Sequence, residues 1–280
     1  MRTVTAPDGV ALAVHEHGGD GRPTLFCHAT GFHGAVWEPM SAALGGGFER
    51  WAIDFRAHGA SVVPPGTPLP WAAIRDDLLA VVDDLALPDG QLLGVGHSMG
   101  GAALLLAEQA RPGTFAGLWL YEPIVPPFGA MPQTQGSNQL ADGARRRRPS
   151  FASQEAALAN FASKPPLSVA RADALHAYIR HGLVAGEDGA VHLACRPDDE
   201  ARLYEGGAGH GAFDHLAEVQ CPVVVAASAE PFGPAQFGGA AAEALPHGRL
   251  EVHEHLTHFG PLESPTELAA SLRAFADSLS

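Results

Sequence analysis

Lysine is almost missing from this chain: of 280 residues only Lys164 is one. Chemistry that needs a lysine amine, such as Schiff-base formation, has a single possible home, in the unpromising context Ser163-Lys164-Pro165-Pro166. Cysteine is scarce as well. Cys27, Cys195 and Cys221 are odd in number, far apart and form no CxxC. That excludes a disulfide framework and fits small buried hydrophobes in a reducing compartment. Positive charge is low, with 17 Lys and Arg against 31 Asp and Glu and a net charge of −14. A nucleic-acid binder needs basic surface to replace the counterions around phosphates, so nucleic acid is not an expected partner. The same balance argues against docking on anionic lipid. No stretch approaches about 18 uninterrupted apolar residues, and the N-terminus, MRTVTAPDGVALAVHEHG, lacks the apolar core of a signal peptide. The expected location is the cytoplasm, without a membrane partner.

What is present is enough to build a core, with 46% hydrophobic and 17% charged residues. Over residues 1–122, short apolar runs alternate with helix-like segments. TLFCH (24–28), RWAID (50–54), LLGVGH (92–97) and GLWLYE (117–122) read as strands, and the alternation around Asp8-Gly9 reads as a strand pair. WAAIRDDLLAVVDDLAL (71–87) carries apolar residues at helical spacing with acids on the opposite face. Strands alternating with helices of this length imply an α/β fold, a mostly parallel sheet flanked by helices. Residues 123–215 break the rhythm. They hold EPIVPPF, the run Arg145–Arg148, helical candidates near 153–163 and 171–183, and a polar, glycine-rich stretch over 184–211. Strands resume at CPVVVAA (221–227) and RLEVHEH (249–255), and a closing amphipathic helix follows over 264–279, with Ser264 as N-cap and Pro265 at its first position. The expected organisation is a core of 1–122 and 216–280, with 123–215 inserted as a helical lid.

The sharpest chemical signal is LLGVGHSMGGAALLLAEQA (92–110). Gly96-His97-Ser98-Met99-Gly100 is a G-x-S-x-G that follows an apolar strand and opens an Ala/Leu-rich helix. Such a turn forces the serine into a strained backbone, and the flanking glycines remove side chains that would clash. The hydroxyl then projects near a helix N-terminus, whose dipole favours developing negative charge.

With these residues the chain resembles the α/β-hydrolase fold family over nearly its whole length. His28-Ala29-Thr30-Gly31 resembles the family's His-Gly oxyanion loop, with Ala29 where a glycine is usual. Asp54-Phe55-Arg56-Ala57-His58-Gly59-Ala60-Ser61 resembles its D-x-R-G-H-G-x-S segment. Thr257-His258-Phe259-Gly260-Pro261-Leu262-Glu263-Ser264-Pro265 resembles the segment that carries the catalytic histidine. The resemblance implies Ser98 as nucleophile, His258 as base, and an oxyanion hole from the backbone N–H groups of Met99 and Thr30. It implies no cofactor.

The acid that orients the imidazole has two candidates. Glu230 lies in Ser228-Ala229-Glu230-Pro231, where the family usually places an aspartate. Glu122 ends the strand GLWLYE, an arrangement that resembles a branch of haloalkane dehalogenases and is the preferred assignment. Those enzymes attack with aspartate. Ser98 implies an acyl-enzyme instead, so the expected reaction is hydrolysis of a small or medium carboxylic ester or lactone. C–C bond hydrolysis, thioester cleavage and acyl transfer use the same groups. A non-catalytic ligand-binding protein on the same fold is the rival from another class.

His253, His255 and His258 form an H-x-H-x-x-H, but Thr257 stands where a metallo-hydrolase would want an aspartate, so no metal is expected. His97 is expected to pack or hydrogen-bond beside the nucleophile. Phe32, Trp37 and Phe128 are candidates to line the pocket of a small-molecule acyl substrate, with His210 and His215 nearby. The run Arg145–Arg148 reads as a solvated face, and Asp54, Arg56 and His58 read as loop-fixing residues.

Overall fold

The computed structural model describes residues 1–127, 138–207 and 209–279. Eleven strands occur among these: β1 (Arg2–Thr5), β2 (Ala11–Gly18), β3 (Gly21–Cys27), β4 (Gly47–Asp54), β5 (Leu92–His97), β6 (Phe115–Tyr121), β7 (Ser150–Phe151), β8 (Leu183–Ala185), β9 (Val191–Leu193), β10 (Val223–Ser228) and β11 (Gly248–His253). Eight of them form one sheet in the order β1-β2-β4-β3-β5-β6-β10-β11. It is parallel from β4 to β11 and antiparallel only at β1-β2 and β2-β4. The expected parallel α/β sheet is what forms.

Both faces of this sheet are covered, which explains why the central strands read as unbroken apolar runs rather than alternating ones. Every residue of β5 and of β10 is buried. Side chains still alternate between faces. Leu92, Leu118, Leu120 and Val225 join one apolar cluster with Ile74, Leu78 and Val81 of the helix Trp71–Leu85. Leu93, Val95, Trp119 and Val224 join the other with Leu268, Leu272 and Phe275 of the helix Pro265–Ser278. Ser264 does stand at the N-cap of that last helix, but its hydroxyl donates to Glu267 Oε2 at 3.1 Å and caps no backbone N–H.

Between β6 and β10 the described residues leave the main sheet. Helices run over Gln139–Arg145, Gln154–Ala162, Ala172–Gly182 and Pro197–Gly206, and β7, β9 and β8 pair into a small separate sheet. The polar, glycine-rich stretch 184–211 holds most of β8, all of β9 and the helix Pro197–Gly206. Phe151, Leu175, Tyr178, Ile179 and Leu193 of this segment belong to the same apolar cluster as Phe32, Trp119 and Tyr121, so it packs on the core, while Ala141, Ala144 and Ala201 form a small cluster within the segment itself. It meets the loop after β3, where His33 Nε2 donates to the Tyr178 carbonyl at 3.0 Å and Gly31 lies against Glu200. No helix among the described residues is long and apolar enough to cross a membrane.

Candidate active site

Ser98 sits between β5 and the helix Met99–Ala110 with φ 54° and ψ −112°, a conformation that L side chains rarely adopt. The surroundings over-determine it. Ser98 N–H donates to the Tyr121 carbonyl at 3.0 Å, and its own carbonyl accepts from Ala102 at 3.1 Å and Ile124 at 3.2 Å. The flanking glycines are steric requirements. A Cβ on Gly96 would stand 2.6 Å from the Gly101 Cα, and one on Gly100 would run into the Cys27 carbonyl.

Glu122 follows β6 directly, also at positive φ (43°). Its carboxylate is buried and engaged on both oxygens: Oε1 accepts Ser228 N–H at 2.9 Å, and Oε2 meets His258 Nδ1 at 2.6 Å. Burial pushes the Glu122 carboxyl up. The hydrogen bond and charge of His258 and the hydrogen bonds from Ser228 outweigh that and hold it below the usual value. A carboxylate can only accept, so Nδ1 of His258 carries the proton and Nε2 is left as the nitrogen for other chemistry. Glu230 is not among the partners of His258. Its backbone N–H reaches Ser228 Oγ at 3.3 Å, and its side chain is half-buried.

Two neighbours hold the loop that carries His258. Tyr121 hydroxyl donates to the Thr257 carbonyl at 2.7 Å, and His97 Nε2 donates to the His258 carbonyl at 2.8 Å. The His97 and His258 ring centroids lie 4.9 Å apart. Burial, reinforced by the charge of His258, pushes the His97 imidazole down to about 3. His97 is therefore a neutral donor, hydrogen-bonded beside Ser98.

The loop 28–31 is pinned by two further neutral histidines. His28 Nδ1 donates to the Ala29 carbonyl at 2.8 Å while Nε2 accepts Phe55 N–H at 3.0 Å. His58 Nδ1 donates to the Arg56 carbonyl at 2.9 Å while Nε2 accepts Gly31 N–H at 3.0 Å. Burial lowers the pKa of both. Asp54 accepts Gly34 N–H at 2.6 Å and Ala60 N–H at 2.8 Å, and Arg56 pairs with Asp77 and Asp8. These residues fix loops, as expected. The N–H groups of Thr30 and Met99 donate to no other group among the described residues, Met99 being the first residue of its helix.

Of the expected pocket residues, Phe32 lies against His97 and Phe259, with ring centroids 6.4 and 6.2 Å away. Trp37 is fully buried and packs on Phe26 at 5.3 Å, inside the core. Phe128 falls outside the described residues. His210 is tied to the Ile124 carbonyl at 2.8 Å and stacked on Trp71, while His215 is exposed and paired with Glu218. His253 is largely buried between Glu251 and Glu267. The run 145–148, read as a solvated face, has one exception: Arg147 turns inward to Glu200 and Tyr178. Among the described residues no group of three or more His, Cys, Asp or Glu side chains could hold a metal ion.

Residues 24–271 match the model of the Alpha/beta hydrolase family, and the chain belongs to that family. A search of curated proteins gave no significant match. Solved structures share the fold at low identity. E-2-(acetamidomethylene)succinate hydrolase is 22% identical, with a TM-score of 0.79 over 99% of this chain and 98% of its own. The peroxisomal α/β-hydrolase Lpx1 of Saccharomyces cerevisiae is 19% identical, with a TM-score of 0.82 over 98% of this chain and 84% of its own. A thermophilic esterase from Thermogutta terrifontis, with malate bound, is 22% identical, with a TM-score of 0.73 over 99% and 98%.

Proposed function

We propose that the protein is a serine hydrolase that cleaves a small or medium carboxylic ester or lactone through an acyl-enzyme. The observation that carries this reading is the buried contact between Glu122 Oε2 and His258 Nδ1, beside a serine held at positive φ on a strand-to-helix turn. Ser98 Oγ attacks the acyl carbonyl while His258 Nε2 takes its proton, and Glu122 holds the imidazole tautomer and offsets the imidazolium charge. The oxyanion forms against the N–H groups of Met99 and Thr30, each worth about 10²–10³ in kcat. His258 returns the proton to the leaving alkoxide. A water then repeats the sequence on the acyl-enzyme, releasing the acid and regenerating the Ser98 hydroxyl.

In this reading residues 123–215 act as the lid that sets substrate choice, and the partner is a small acyl compound. The esterase among the structural relatives supports esters as the first class to assay. The test is hydrolysis of a p-nitrophenyl ester series by wild type and Ser98→Ala, with a fluorophosphonate probe alongside. Chain-length-dependent release lost in the variant is the expected result. Full residual turnover by pure Ser98→Ala protein would sink the mechanism, and absence of both turnover and labelling would favour a ligand-binding protein on this fold.

A further inference from the structure

The loop after β3 meets the inserted segment at three consecutive residues. Gly31 lies against Glu200, which stands in the first turn of the helix Pro197–Gly206. A Cβ on Gly31 would be 2.7 Å from Glu200 Oε1 and 3.3 Å from Arg147 Nη1. The Phe32 ring packs on the Tyr178 ring at 5.3 Å. His33 Nε2 donates to the Tyr178 carbonyl at 3.0 Å. Arg147 joins these contacts together. Its Nη1 pairs with Glu200 Oε2 and its Nη2 donates to the Tyr178 hydroxyl at 2.7 Å, so both terminal nitrogens are engaged within the segment.

The grip bears most on Gly31. It stands at φ +81°, and without a Cβ its own sterics barely restrict its torsions. Neighbours on two sides do so instead. From the core, His58 Nε2 accepts its N–H at 3.0 Å. From the inserted segment, the Glu200 carboxylate occupies the space that a side chain would take. The residue before it is the buried Thr30, whose N–H is the proposed oxyanion donor. Ala29, on the other side of Thr30, is fixed through its carbonyl, which accepts His28 Nδ1 at 2.8 Å and Phe32 N–H at 3.1 Å. Thr30 is therefore held between Ala29, pinned from within the core, and Gly31, pinned in part by the inserted segment.

Glu200 keeps this place only while Arg147 holds it. A carboxylate whose side chain is 7% accessible needs a partner; without one it takes up a proton or turns toward water. If the pair served only to tie the segment down, packed apolar residues would do as well, because a buried ion pair is about neutral against hydrophobic replacement. A carboxylate fixed on one oxygen by a guanidinium instead sets its other oxygen at a defined place. We propose that Glu200, braced by Arg147, is a positioning residue for the loop 30–33, fixing Gly31 and through it the Thr30 N–H. The inserted segment then does more than cover the site: it completes the oxyanion hole. The catalytic part of this rests on the serine-hydrolase reading, and the structural part on the contact between Gly31 and Glu200 alone.

The test compares Glu200→Ala and Arg147→Met with the conservative variants Glu200→Gln and Arg147→Lys, on one p-nitrophenyl ester that wild type cleaves. The first two should lower kcat about tenfold with KM within about twofold, because a misplaced donor leaves ground-state binding intact and loses transition-state stabilisation. A trifluoromethyl ketone takes Ser98 Oγ onto its carbonyl carbon while the serine proton passes to His258, leaving a tetrahedral oxyanion. Its affinity should fall by the same factor. Glu200→Gln preserves the shape against Gly31 and Arg147→Lys keeps Glu200 paired, so both should stay within about threefold of wild type. Backbone amide exchange over residues 28–33 reads the loop without turnover, and should quicken in Glu200→Ala but not in Glu200→Gln. Unchanged kcat, ketone affinity and loop exchange in Glu200→Ala would reduce the pair to a structural tie and overturn the proposal. A loss confined to KM, or equal losses in Glu200→Ala and Glu200→Gln, would overturn it too. Should Glu200→Ala not fold, Arg147→Met against Arg147→Lys makes the same comparison. If wild type cleaves no ester and Ser98 takes no fluorophosphonate label, the hydrolase reading falls. Exchange over 28–33 then decides alone whether Glu200 holds the loop, and unchanged exchange removes that as well.

Discussion

His97 Nε2 lies 2.8 Å from the backbone carbonyl of His258, joining the residue before Ser98, the proposed nucleophile, to the loop that carries the proposed base. A carbonyl only accepts, so Nε2 is protonated, and burial keeps the ring neutral. His97 is thus a positioning residue, with Tyr121 doing the same for the adjacent Thr257 carbonyl. Replacing His97 by Leu leaves a partly buried carbonyl unpaired, which costs about 1–3 kcal/mol. The expected result is a kcat about tenfold lower with little change in KM, and a shifted acid limb of the kcat–pH profile as His258 loses its fixed geometry. His97→Gln, which can still donate, should recover much of both. A Leu variant indistinguishable from the Gln variant would show that the hydrogen bond does not position the base.

The two acid candidates separate cleanly by substitution. Glu122→Gln keeps the shape but presents an amide that cannot stabilise an imidazolium, so kcat should drop by about 10³–10⁴. Glu230→Gln touches no partner of His258 and should stay within about twofold of wild type. Steady-state kinetics on one ester decides between them, and the reverse ranking would move the acid to Glu230.

Acid should destabilise the fold through its buried histidines. Burial pushes His17 and His33 down to about 4 and His97 to about 3, against an unfolded value near 6.5. Between those limits the unfolded chain binds more protons, so stability is complete above about pH 6.5 and is lost as pH falls toward 4. Each such histidine removes about 1 kcal/mol by pH 5.5. His253, which its hydrogen bond to Glu251 raises against burial, works the other way but stands alone. Urea unfolding at pH 7.5 and 5.5 should therefore show a loss of a few kcal/mol, smaller in His33→Gln. A flat profile would mean that these rings are protonated in the folded state.

The strand rhythm and the serine turn were legible because they depend on local constraints. β5, the glycines around Ser98 and the helix behind them are written in one stretch of 19 residues, and the structure gives each of those glycines a steric reason. Glu122 was legible only as one of two candidates, because its meeting with His258 spans 136 residues and depends on how β6 lies beside β10. The helix Pro197–Gly206 was missed although its signal is present: Pro197 at the first position and Asp198, Asp199 and Glu200 in the first turn complement the helix dipole. Its polar composition hid it. Arg147 could not be told from its three neighbours by composition, since only the placement of Glu200 and Tyr178 draws it inward.

Glycine substitutions separate steric need from backbone freedom. Gly100 lies in the first turn of the helix after Ser98, and a Cβ there would meet the Cys27 carbonyl, backbone against backbone, at the join of β3 and the helix. Neither side can yield without displacing Ser98 or the proposed oxyanion loop that follows Cys27. Gly113 has φ +84° but nothing within 4 Å of an added Cβ. Gly113→Ala should cost only the left-handed backbone penalty, about 1–2 kcal/mol, with activity retained. Gly100→Ala should cost about 3 kcal/mol or more, as overpacking against rigid backbone does, and should reduce turnover further than stability alone accounts for. Thermal unfolding of the two variants, with turnover measured well below each Tm, checks both. Equal Tm losses with turnover intact in Gly100→Ala would show that the helix can retreat from β3 without disturbing the serine.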